Sequence, residues 1–88
     1  MPILSMFYGI IIRMYREVGA KHHTPHFHAM YSEYKIVIDL AGNTLEGSFP
    51  VKQYRLLMAW YELHQDELTA NWEMLSTSGD YFKIRPLD

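Results

Sequence analysis

Two histidines separated by a single residue, His26-Phe27-His28, lie in a run of strand-forming side chains. In an extended strand they project to one face roughly 7 Å apart, because side chains alternate with period two. Phe27 then turns toward the core with Ala29 and Tyr31, which leaves both imidazoles on the solvent or cleft side within reach of a ligand. Imidazole both gives and takes a proton near neutral pH. A pair on one face suits metal-free RNA cleavage: one ring removes the 2′-hydroxyl proton, the other protonates the leaving 5′-oxygen, and a cation holds the phosphate. Arg13 is the nearest cation, and Tyr15 is a proton donor or a platform on which a base stacks. The catalytic set expected is therefore His26, His28, Arg13 and Tyr15, provided the strand holding the last two lies beside the histidine strand.

The same spacing serves a metal ion. His-x-His on a strand is a bidentate pair, His22 or His23 can reach in from the preceding segment, and Glu33 or Asp39 can complete the shell. His23, His26 and His28 are the ligands of that alternative. A third reading is structural, with the imidazoles capping turns or bonding to backbone groups. The chain has no cysteine, so thiolate zinc sites, cysteine nucleophiles and disulfide scaffolds are excluded, and no cofactor is expected. His64, beside acidic residues, reads as a helix-end side chain. Trp60, Tyr61 and Trp72 at helical spacing read as core.

The elements that must position these residues follow from periodicity. Met6 to Arg16 alternates and predicts a first strand with a buried side. Glu17 to Pro25 is polar, ends in proline and predicts a loop. His26–Tyr31 and Tyr34–Leu40 form a hairpin about Ser32-Glu33, the second strand burying Tyr34, Ile36, Ile38 and Leu40 while Lys35 and Asp39 point the other way. Gly42-Asn43 is a turn leading to a short strand, Thr44 to Ser48. Pro50 opens a helix whose apolar face is Tyr54, Leu57, Met58 and Tyr61. Two helices, Val51–Leu63 and Gln65–Thr77, are expected, the second starting on Asp66 and Glu67 and closed by Gly79. Tyr81 to Arg85 alternates again and predicts a last strand before Pro86. The fold class is α+β, a small antiparallel sheet of four or five strands packed against two helices in the order ββββααβ.

Eighty-eight residues make one domain, residues 1–88, since a chain of this size sustains a single core. At 49% hydrophobic and 20% charged residues it has the globular ratio and should fold. The net charge of −2 is unevenly placed: residues 1–40 hold four Lys/Arg against three Asp/Glu, residues 41–88 four against seven. Binding to long duplexes, which needs many cationic contacts to phosphates, is disfavoured. The acidic group Asp66, Glu67 and Glu73 is a solvated face or a surface for a basic partner. No leader and no apolar run long enough for a membrane span is present, so the expected location is the cytoplasm.

Met6-Phe7-Tyr8-Gly9-Ile10, Arg13-Met14-Tyr15 and His23-Thr24-Pro25-His26-Phe27-His28-Ala29 resemble the bacterial family called domain of unknown function 4160. Glu33-Tyr34, Leu45-Glu46-Gly47, Trp60-Tyr61-Glu62-Leu63-His64, Glu67-Leu68 and Asn71-Trp72-Glu73 are similar to its later landmarks, so the likeness covers nearly the whole chain. Thr24 and Ser32 stand where the family pattern has proline and glycine. The resemblance implies no established activity. It implies a small cytoplasmic protein encoded beside a second one, domain of unknown function 2442, in an arrangement similar to toxin–antitoxin pairs. The expectation is thus a toxin-like component with His-dependent RNA cleavage, its partners a co-encoded small protein and RNA, without a membrane and with a homo-oligomer left open. The alternatives are a non-enzymatic module that docks the co-encoded partner through a strand edge or the acidic helix face, and a metal-binding domain.

Overall fold

The computed structural model describes residues 2–16 and 24–88. Five strands, β1 (Ile3–Phe7), β2 (Ile10–Arg13), β3 (His26–Tyr31), β4 (Tyr34–Asp39) and β5 (Thr44–Gly47), pair antiparallel in sequence order. Two helices follow, α1 (Val51–Leu63) and α2 (Gln65–Thr77), so the α+β class and the antiparallel meander stand. No helix among the described residues is long and apolar enough to cross a membrane.

The predicted first strand is in fact a hairpin. Tyr8 and Gly9 both have positive φ, 47° and 79°, and Phe7 pairs with Ile10 across them. Two positive-φ residues form a type I′ turn, whose twist matches that of the flanking strands. The continuous apolar alternation through Met6–Ile12 hides this turn, and Gly9 is its only sequence mark. The run therefore does not keep one buried side throughout: Ile10, Ile12 and Met14 are buried, whereas Met6 and Tyr8 are 60% and 57% exposed. An irregularity in pairing between Ile3 and Ser5 accompanies the burial of Leu4.

Residues Tyr81–Arg85 are not a strand. The Ile84 N–H does bond to the Leu4 carbonyl at 2.8 Å, and Ile84 is buried. The backbone groups on either side go to helix side chains instead: the Phe82 N–H donates to Oδ1 of the buried Asn71, and the Arg85 carbonyl accepts Nε1–H of Trp60, both at 2.9 Å. Groups so satisfied have no need of a ladder. Tyr34, expected in the core, is 40% exposed because it flanks the Ser32-Glu33 turn.

At that turn Tyr31 pairs with Tyr34 and Ser32 has φ 52°. Gly47 is obligatory, since a Cβ there would lie 2.1 Å from the Lys35 carbonyl oxygen. The α1 face buries Leu57, Trp60 and Tyr61 against the sheet, and Trp60 packs 5.5 Å from Phe7 and 6.1 Å from Phe27, centroid to centroid. Each such ring contributes about 1.5–3 kcal/mol on burial. Trp60 and Tyr61 are therefore core, as their spacing predicts. His64 joins the helices, its Nδ1–H donating to Glu67 at 2.6 Å, and Gly79 at φ 80° closes α2 by donating to the Met74 carbonyl.

Candidate functional site

Register decides which side chains share the sheet face turned away from α1. Arg13 of β2 pairs with His28 of β3, which pairs with Val37 of β4. The condition set by sequence is thereby met: β2 lies beside β3, and Arg13 and His28 are cross-strand neighbours, whose Cβ atoms lie about 5 Å apart. Tyr15, two residues on, stacks on His28 with centroids 4.6 Å apart and planes 9° from parallel. These three residues converge with Met30 and Lys35 on a depression of about 300 Å³, to which Ala29 and Ile36 also contribute.

Three of the four expected catalytic residues therefore line one pocket, and the fourth does not. His26 is 0% exposed, with its ring 5.2 Å from His28 and 5.3 Å from Trp72 of α2. Its Nδ1 lies 2.6 Å from the Thr24 carbonyl oxygen, which only accepts, so Nδ1 carries the proton. The expectation that both imidazoles are open to a ligand fails here because Trp72 reaches the start of β3. Further along, Arg16 donates to the Ser76 carbonyl at 3.3 Å and ties the chain after β2 to the last turn of α2.

Lys35 is the charged pocket residue that the catalytic set omits. Its signal was present: once Tyr31 pairs with Tyr34, Lys35 falls opposite Met30 and on the same face as His28. Among the described residues neither Arg13 nor Lys35 is in an ion pair, and the Arg13 Nε is buried with no hydrogen-bond partner. A buried guanidinium nitrogen in that state costs desolvation energy that an acceptor from a ligand would offset.

Asp39 pairs in register with His26 but serves the turn that follows. Its Oδ1 accepts the backbone N–H groups of Ala41 at 3.0 Å and Asn43 at 2.7 Å, and its Oδ2 accepts the Asn43 amide at 3.2 Å. Burial pushes this carboxyl up, but the bonds from Asn43, Ala41 and Gly42 outweigh it and hold the group below its ordinary value. Burial also raises the Tyr61 phenol, helped by the nearby charges of Glu62 and Asp39, and its hydroxyl donates to the Leu40 carbonyl at 2.8 Å. Glu33 sits exposed in the hairpin turn. Among the described residues no three His, Asp or Glu side chains are grouped to hold a metal ion, and His22 and His23 lie outside those residues.

The arrangement can bind an anion between two cations, present an aromatic pair to a base, and offer one imidazole for proton transfer. No curated protein and no solved structure matches the chain. A family model does match, over residues 9–73, a span that runs from the β1–β2 turn into α2 and contains every residue of the pocket. By that match the chain belongs to the domain of unknown function 4160 family.

Proposed function

We propose that this protein binds single-stranded RNA at the Arg13–Tyr15–His28–Lys35 pocket and cleaves it there, as the toxin-like component of a two-protein module. The observation that carries this reading is the convergence of two cations, neither in an ion pair among the described residues, on a half-buried histidine stacked against tyrosine. Arg13 and Lys35 take the phosphodiester, and a base splayed from the strand stacks at the aromatic pair. His28 accepts the 2′-hydroxyl proton as that oxygen attacks the adjacent phosphorus. The bond to the 5′-oxygen breaks, and the Tyr15 phenol supplies the proton that the leaving oxygen takes up. His26 contacts no substrate in this scheme and acts by holding His28 in place. The positive patch is local, in keeping with a chain of net charge −2, so a short strand is favoured over a duplex.

The test is cleavage and binding of a short fluorescein-labelled oligoribonucleotide. Cleavage should fall about 10²–10⁴-fold in His28→Ala. Arg13→Gln should weaken binding about tenfold and lower its salt slope by about one. A 2′-deoxy linkage should bind but stay intact. Equal cleavage by His28→Ala and wild type, or no binding of the oligonucleotide, overturns the reading.

A further inference from the structure

A second cross-strand row lies beside the Arg13–His28 row on the same face. Met6 of β1, Ile11 of β2, Met30 of β3 and Lys35 of β4 are successive register partners. With strands about 4.8 Å apart they form a line about 15 Å long, some 7 Å from the Arg13–His28 row. Met6 and the turn residue Tyr8 are among the most exposed large apolar side chains of the described residues, and Ile11 and Met30 are half-buried. The groove at the hairpin tip, about 340 Å³, is lined by residues 6–11.

A phosphodiester strand gains nothing from such a row, because its affinity comes from cations and stacking. A protein segment does gain: contiguous apolar surface marks interaction sites, and the unbranched methionine side chain adapts to what packs on it. Charge says which segment. The row ends on Lys35 and runs alongside Arg13, cations that are in no ion pair among the described residues. A basic segment would be repelled, whereas one with apolar side chains on one side and carboxylates at its margin satisfies both features.

We propose that the Met6–Ile11–Met30 row, with Arg13 and Lys35, docks an acidic amphipathic segment of a partner protein. The proposal rests on the same two cations as the RNA reading and adds the apolar row, which that reading does not use. Seated there, the segment places carboxylates where the phosphate would lie, so partner and RNA exclude one another and the docking surface also regulates the site.

The probe is a phage-displayed library of random peptides selected on the immobilised full chain. Enriched sequences should combine Asp or Glu with apolar residues at strand or helix spacing. Affinity for a synthesised winner should fall at least tenfold in Met6→Gln/Ile11→Gln and in Arg13→Gln/Lys35→Gln, and the oligoribonucleotide should compete with it. Met6→Gln alone, at an exposed site, reads the same surface if the double variant fails to fold. The Met6 variants lie outside the RNA pocket and should bind the oligoribonucleotide as wild type does. No enrichment, enrichment of basic or uncharged sequences, or winners indifferent to Met6→Gln overturns the proposal. Self-association of the chain that is lost in Met6→Gln also overturns it, assigning the row to a second copy. Peptide binding without RNA binding would remove the RNA reading alone, and the reverse result would remove the docking proposal alone.

Discussion

His26 and His28 stand on one strand and one face, yet one end of that face is sealed and the other open. Toward the start of β3, His26 and its register partner Asp39 are buried; toward its end, Met30 is half-buried, and Lys35 and Met6 are exposed. What differs is the neighbour overhead, Trp72 over His26 and a depression beside His28. Identical side chains thus meet different surroundings: the imidazole beside Trp72 is held at the Thr24 carbonyl, and the half-buried one borders the depression. An interior that excludes water fixes geometry, and a shallow cationic depression leaves room for an anion.

This contrast can be tested by stability and binding in parallel. The largest effect belongs to the helix-covered core: Phe27→Ala should cost about 3–5 kcal/mol in urea unfolding, because Trp60 and Tyr61 both pack on its ring. His26→Ala should cost about 2–3 kcal/mol, through lost packing against Trp72 and an unsatisfied Thr24 carbonyl. A cost below about 0.5 kcal/mol would show that the sealed end is not sealed. Asp39→Asn should cost about 1–2 kcal/mol at neutral pH through weakened bonds to Ala41 and Asn43. The folded Asp39 carboxyl is held below its ordinary value of 3.8, so its contribution is complete above that pH and is lost as pH falls through the lowered value. The gap between variant and wild type should therefore close in acid, and a gap that persists there would deny the charge of Asp39 a role. Smallest of all, Lys35→Gln at the open end should change stability by no more than about 0.5 kcal/mol while weakening RNA binding.

The strands of the sheet and the faces of β3 were legible in the sequence. The alternation in His26–Tyr31 placed Phe27, Ala29 and Tyr31 on one face, and the helical spacing of Leu57, Trp60 and Tyr61 supplied the layer that covers them. The meeting of Arg13 and Tyr15 with His28 needs β2 beside β3, an adjacency that a meander of successive strands supplies. Two features escaped for physical reasons. Tyr8-Gly9 lies inside an unbroken apolar run, and local pattern cannot reveal a turn whose flanks are both buried strands. The sealing of His26 depends on Trp72, 46 residues away, and periodicity within either segment says nothing of that encounter. The tail at Tyr81–Arg85 shows the same limit: its alternation is real, but Asn71 and Trp60 decide where its backbone groups bond.

The most direct test is a nuclear magnetic resonance titration of the isotope-labelled chain with a short single-stranded oligoribonucleotide at low salt. The account predicts shifts concentrated at Arg13, Tyr15, His28, Met30 and Lys35, weak effects at His26, and none along the outer face of α2. Shifts clustered on the helices, or an unperturbed spectrum at saturating RNA, would contradict it.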